Sequence, residues 1–220
     1  MFYVRINKVS LKKNGELLGK GEVQLMSFIN YSEDDFPSLQ KFFDTNDDEQ
    51  KAAAVRSAIE KVVNSRIMMP IAKVRDNSVI TFGDTGYIVY KSKIIPEDFS
   101  WMILAVESDK KTRDTAALLQ TVLTEDNVSS LIGTIAKLAA TADPVTESIT
   151  AIYKFVSKTA FGLSANDKDD QVGYYLCSFI RGLDYPHGNR EVIGSKDTTG
   201  NMTIDYSFFG FESYAAESVS

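Results

Sequence analysis

The sequence predicts a mainly β protein with α insertions: an antiparallel β-sandwich that carries a helical subdomain. Three observations lead there. Short segments alternate apolar and polar residues with a period of two, clusters of Gly, Pro, Asn and Asp separate them, and in two blocks the apolar period lengthens to that of a helix. The 220 residues are within reach of one domain. In that domain the sandwich comes from residues 1–31, 66–109 and 167–212, helical insertions occupy 38–65 and 110–166, and the small, polar tail 213–220 frays.

In chain order, Phe2, Val4 and Ile6 alternate with Tyr3, Arg5 and Asn7, the pattern of a half-buried strand that runs to Leu11. Lys12-Lys13-Asn14-Gly15 turns the chain into a second apolar run, Glu22 to Tyr31, which the acids around Asp34 and then Pro37 bring to an end. After Thr45-Asn46-Asp47-Asp48, apolar residues at Ala52, Val55, Ile59, Val62 and Val63 mark a helix of about five turns with capping residues and acids at its start. Strand character returns in IMMPIAKV, SVITF, GYIVYKSKII and FSWMILAVES between Ile67 and Ser108. Helices follow at 112–123, 126–141 and 144–160. The last has Asp143 at its N-cap, Pro144 at its first position, the stripe Val145, Ile149, Ile152, Tyr153 and Val156, and Gly162 as its stop. Strands resume with QVGYYLCSFIRGL from Gln171, a turn covers Tyr185 to Asn189, and NMTIDYSFFGFE closes the pattern.

Composition excludes several classes. Hydrophobic residues at 44% and charged residues at 25% are those of a globular protein, with no apolar run near the roughly 20 residues that span a bilayer. Lys and Arg number 24 against 30 acids, a net charge of −6 that argues against nucleic acid as the partner. A single cysteine, Cys177, makes neither an internal disulfide nor a Cys-rich zinc site. The start of the chain lacks a basic segment followed by an apolar one, so the expected location is the cytoplasm, with export by a signal-independent machine as the other route.

Three stretches resemble the C2 family of β-sandwich domains. Gly19-Lys20-Gly21-Glu22-Val23 is similar to the segment that leads from the family's first calcium loop into a strand. The run from Pro96 through Phe99 and Val106 to Glu107-Ser108-Asp109 resembles the family's Pro-x-x-Phe-x-x-x-Leu-x-Val-x-Asp-x-Asp element. Asp169-Asp170-Gln171-Val172-Gly173 resembles the Asn-Asp-x-Ile-Gly that opens the next strand. The resemblance covers about half of the chain and implies a C2-like sandwich whose third loop is expanded into the helical block. It further implies a Ca²⁺ site drawn from Glu22, Glu107, Asp109 and Asp170, with Asp167 and Asp169 as neighbours, since Ca²⁺ takes several oxygen ligands. Lys12 and Lys13 stand where the family's first-loop Asp belongs. The competing reading of these acids is a solvated loop with Asx turns.

Other candidates carry little chemistry. His187, the only histidine, sits in the turn YPHGN, and Cys177 lies in an apolar strand where it reads as a small hydrophobe. Phosphate-loop, dinucleotide, HExxH and GxSxG motifs are absent. Val128 to Ala142 is apolar but short and interrupted by Lys137, the pattern of a core or partner-facing helix rather than a membrane hairpin. Lys12, Lys13 and Lys20 form a sparse basic patch for peripheral contact with anionic lipid. Phe208 and Phe209 fall on opposite faces of their strand, so one apolar face outside the core is left for the helices or for another subunit.

Three functional readings follow. The first is a non-enzymatic C2-like interaction module that docks onto a protein or membrane surface, with Ca²⁺ as its possible cofactor. The second is a structural subunit of a larger assembly such as a phage or contractile injection particle. The third is an effector or hydrolase with unrecognised carboxylate chemistry.

Overall fold

The computed structural model describes residues 1–14, 21–31, 36–107, 115–164, 171–185 and 188–211. They are mainly β with helices, as the sequence predicts. The elements in order are β1 (Phe2–Leu11), β2 (Gly21–Tyr31), α1 (Pro37–Asp44), α2 (Asp48–Ser65), β3 (Ile67–Val74), β4 (Ser78–Thr81), β5 (Tyr87–Ser92) and β6 (Asp98–Glu107). They continue with α3 (Thr115–Val122), α4 (Glu125–Leu138), α5 (Pro144–Ser164), β7 (Gln171–Ile180), β8 (Gly188–Lys196) and β9 (Met202–Gly210).

The strands form two antiparallel sheets. Sheet A has the order β4-β1-β9-β8, with β5 also paired to β1, and sheet B the order β3-β2-β6-β7. One core joins the inner faces of both. Phe2, Val4 and Ile6 of β1 and Ile204, Tyr206 and Phe208 of β9 meet Leu25 of β2 and Phe99, Trp101 and Ile103 of β6. A second core lies on the opposite face of sheet B, where Met26, Phe28, Met102, Leu104 and Val106 pack against the helices. Strands β2 and β6 of sheet B are therefore buried on both faces, with sheet A on one side and helices on the other, while β7 exposes Leu176 and Ile180 on the helix side.

Trp101 lies at the centre of the inter-sheet core. It is fully buried and meets Tyr206 and Tyr175 edge-to-face at 5.3 and 5.8 Å. Its indole Nε1 donates to Ser27 Oγ at 2.9 Å, so its one polar atom is satisfied inside the core. Tyr175 OH donates to Tyr206 OH at 3.2 Å.

Both expected caps are present. Asp47 accepts from Gln50 N at 3.0 Å to start α2, and Asp143 accepts from Thr146 N at 3.1 Å before α5. Three details differ from the sequence expectation. The first helical block begins with a separate helix, α1, which opens on Pro37 and buries Leu39 and Phe42 three residues apart. Helix α5 runs to Ser164, so Gly162 lies inside its last turn and does not stop it. Strand β8 replaces what reads as turn and loop. Its sequence GNREVIGSK is polar, and a bulge between Val192 and Ser195, with Gly194 at φ 68°, breaks the alternation.

Helix α4 buries Val128, Leu131 and Ile135 and packs against α2 and α5, an outer position in the helical layer. Among the described residues no helix is long and apolar enough to cross a membrane.

Replacing Trp101 by Ala is expected to cost about 3–5 kcal/mol of stability, read by urea denaturation. Burial pushes the pKa of the Tyr175 and Tyr206 phenols above the ordinary tyrosine range. Their neutral forms belong to the native state, so this stability is full below about pH 10 and is lost as pH rises further. Denaturation midpoints measured between neutral and strongly alkaline pH are expected to fall in the upper part of that range, and less so in Tyr206→Phe.

Candidate functional site

Two regions hold candidate side chains: the outer face of sheet A, and the end of sheet B that holds Glu22 and Glu107.

The outer face follows from strand alternation. With Phe2, Val4 and Ile6 inward, Tyr3, Arg5 and Asn7 point out, and the register sets Tyr3 opposite Phe209 and Arg5 opposite Ser207. The Tyr3 and Phe209 rings stack at 4.9 Å, and Phe211 continues the row at 6.5 Å from Phe209. A polar row runs beside the rings. Arg5 Nε donates to Ser207 Oγ at 2.6 Å, and Asn7 Nδ2 donates to Glu191 Oε1 at 3.3 Å. Lys8 Nζ pairs with Asp205 at 2.5 Å, while the other oxygen of that carboxylate accepts from Gly194 N at 2.7 Å. Around this row stand large apolar side chains in solvent: Ile193 is 72% exposed, Phe211 62%, Val79 60% and Ile88 50%. The helices pack on β2 and β6 of sheet B, so among the described residues they do not cover this face. Phe208 enters the core and Phe209 faces out, as their alternation requires.

At the other region, antiparallel pairing gathers the start of β2, the end of β6 and the start of β7. Val23 stands opposite Glu107, and Val106 opposite Gln171. Glu22 is exposed and precedes Val23, so Glu22 and Glu107 are brought to adjacent strands one register position apart. Asp109, Asp167, Asp169 and Asp170 lie outside the described residues, as does Lys20. Among the described residues no group of three or more His, Cys, Asp or Glu forms a metal cluster.

Beside these segments the two sheets are tied by a network that the sequence reading missed. Buried Asn14 donates through Nδ2 to Val74 O at 2.9 Å and through its backbone N to Asp76 Oδ1 at 3.0 Å, joining the end of β1 to β3. Asn201 accepts from Lys13 N at 2.9 Å and donates to Val172 O of β7. Asp197 is 7% exposed, and its carboxylate accepts from Tyr174 N at 2.9 Å, Met202 N at 3.0 Å and Thr199 Oγ1. Three donors fill it, so it acts as a clamp between β7 and the β8–β9 turn. The signal for it was the turn composition Asp197-Thr198-Thr199-Gly200-Asn201 between two strands, with Gly200 at φ 74°. Lys12 extends the network by donating from Nζ to Gly200 O at 2.5 Å.

Cys177 is half-buried, and desolvation pushes its thiol pKa up, the opposite of what an activated nucleophile needs. His187 lies outside the described residues.

No protein-family model matches the chain, and no curated protein matches it.

Asp197→Ala removes the acceptor from buried backbone donors and is expected to cost about 2 kcal/mol or more. Asp197→Asn, which keeps one acceptor oxygen, is expected to cost less. Chemical denaturation of both variants checks the order.

Proposed function

We propose that this is a non-enzymatic interaction protein that assembles with other protein through the outer face of sheet A, in its simplest form with copies of itself. A single observation carries this reading. Among the described residues no helix packs on the outer face of sheet A, and it exposes Val79, Ile88, Ile193 and Phe211 beside the stacked Tyr3 and Phe209, a larger apolar group than the Leu176 and Ile180 that β7 exposes on sheet B. Exposed apolar side chains grouped on one rigid sheet are the mark of an interaction surface, and rings held by stacking lose little entropy when they are buried. This supports the reading of the chain as a structural subunit of a larger assembly.

A second reading is supported by the strand register. It brings Glu22 and Glu107 to one end of the central strands of sheet B, next in sequence to residues 108–114, which hold Asp109, while residues 165–170, which hold Asp167, Asp169 and Asp170, precede β7. Together with the C2 resemblance, this favours Ca²⁺-dependent docking on a protein or membrane surface at that end.

Sedimentation velocity over a wide range of protein concentration tests the first reading. The protein is expected to associate as concentration rises, and Ile193→Ser/Phe211→Ser to stay monomeric with an unchanged melting midpoint, both residues being exposed. A wild-type monomer throughout excludes self-assembly. Thermal unfolding in EDTA and in millimolar Ca²⁺ tests the second. A midpoint raised by Ca²⁺, and no longer raised in Asp109→Asn/Asp170→Asn, is the expected result, because a ligand held only by the native state stabilises it. An unchanged midpoint removes calcium from the account.

A further inference from the structure

Strand β7 forms an edge of sheet B, and among the described residues its outer side is open over a short stretch. The direction of its main-chain groups follows from the bonds at its two ends. Tyr174 donates its N–H to Asp197 Oδ2 at 2.9 Å and accepts at its C=O from Thr198 N at 2.8 Å, both outside the ladder with β6. At the other end Ile180 N donates to Asp184 Oδ2 at 2.8 Å, and its C=O accepts from Asp184 N at 2.9 Å. Between these residues the antiparallel register with β6 is unbroken, so Leu176 and Ser178 turn their N–H and C=O groups away from β6 as Tyr174 and Ile180 do. The contact of Ser178 Oγ with Ser100 Oγ at 3.0 Å fits a cross-strand pair that is not bridged by main-chain bonds. Among the described residues, only the Cys177 thiol, 3.8 Å from Ser178 O, approaches these outward groups.

This edge lacks the features that blunt others in the molecule. Strand β8 is bulged and β3 contains Pro70, which has no N–H, whereas QVGYYLCSFI of β7 holds neither a charge nor a proline. On the helix side of β7, Leu176 is 41% and Ile180 52% exposed. Between this row and α5 lies a cavity of about 140 Å³, lined among others by Leu176, Ser178, Met102, Phe28 and the exposed Lys154. That volume suits one branched or aromatic side chain. An edge strand beside a helix, with a pocket between them, is an arrangement to which an extended peptide adds as a further strand: main-chain bonds hold it, and the pocket selects alternate side chains. A side chain opposite Leu176 or Ser178 points to the same face as they do, the face on which the cavity lies. Asp197 and Thr198 close one end of the stretch and Asp184 the other, so it admits a short segment and not a second copy of the ten-residue β7.

We propose that the β7 edge binds a short extended segment of a partner protein. The segment lies antiparallel to Leu176–Ser178, as every strand pair of sheet B does, with a branched apolar side chain in the cavity beside α5 and an acidic residue near Lys154. This surface is separate from the outer face of sheet A and from the acidic end, and it uses none of their residues.

The experiment is an amide-detected NMR titration of the full chain with the peptide acetyl-Glu-Leu-Thr-Leu-Glu-amide and, in parallel, with the same peptide N-methylated at both leucines. The first peptide is expected to shift the Leu176 and Ser178 amide signals saturably downfield, as their N–H groups gain acceptors. The second has lost the two donors that face β7 and is expected to bind at least about tenfold more weakly. Lys154→Glu, at an exposed position, is expected to weaken the first peptide several-fold, and an unchanged affinity overturns the acidic placement. The proposal as a whole is overturned if neither peptide gives saturable shifts at millimolar concentration, if the N-methylated peptide matches its parent, or if the shifts map away from β7 and α5. The comparison of the two peptides on the wild-type protein stands even if the variant fails to fold.

Discussion

Burial of the central strands of sheet B, β2 and β6, on both faces is the constraint on which the rest of the structure depends. A strand in such a sheet has no polar side to give up to water, so β2 and β6 carry apolar residues on both faces, from Met26 and Phe28 on one to Leu25, Trp101 and Ile103 on the other. The helices are thus structural partners of sheet B, and sheet A is left with one face in the core and one in water. Position in the stack decides which surfaces remain for function.

Much of this was legible in the sequence. Strand β1 showed its alternation because it borders water on one side, and α2 and α5 announced themselves through Asp47, Asp143 and their apolar stripes. What stayed hidden has physical causes. Strand β8 lies at a sheet edge and is interrupted by a bulge, so neither burial nor alternation marks it. Helix α1 is eight residues long, too short for periodicity to stand out, and it is held by the burial of Leu39 and Phe42. A continuous apolar run such as Trp101 to Val106 cannot say which of its two faces meets a sheet and which meets helices.

The candidate sites were legible to different degrees. The opposite facing of Phe208 and Phe209 announced an apolar outer surface, but only the packing shows that the helices lie on the other sheet. The acidic residues were visible as residues, while the pairing that sets Glu107 across from Val23, next to Glu22, is a matter of register. The clamp at Asp197 and the open stretch of β7 arise from contacts distant in sequence. The first joins residues 174 and 202, and the second is bounded by that clamp and flanked by α5, so no local pattern encodes either.

The bulge in β8 bears on how a second chain could meet sheet A. An edge strand with a regular ladder invites a further strand, and each addition presents the same edge again, which is how open fibres grow. Here Gly194, in the left-handed region, turns its N–H back to Asp205, and the edge loses its regular spacing between Val192 and Ser195. Growth along the hydrogen-bonding direction is thereby discouraged, while the flat side of the same sheet keeps its rings and aliphatic groups in solvent. Contact through the face proposed above would therefore be made by side chains and not by a strand added at β8.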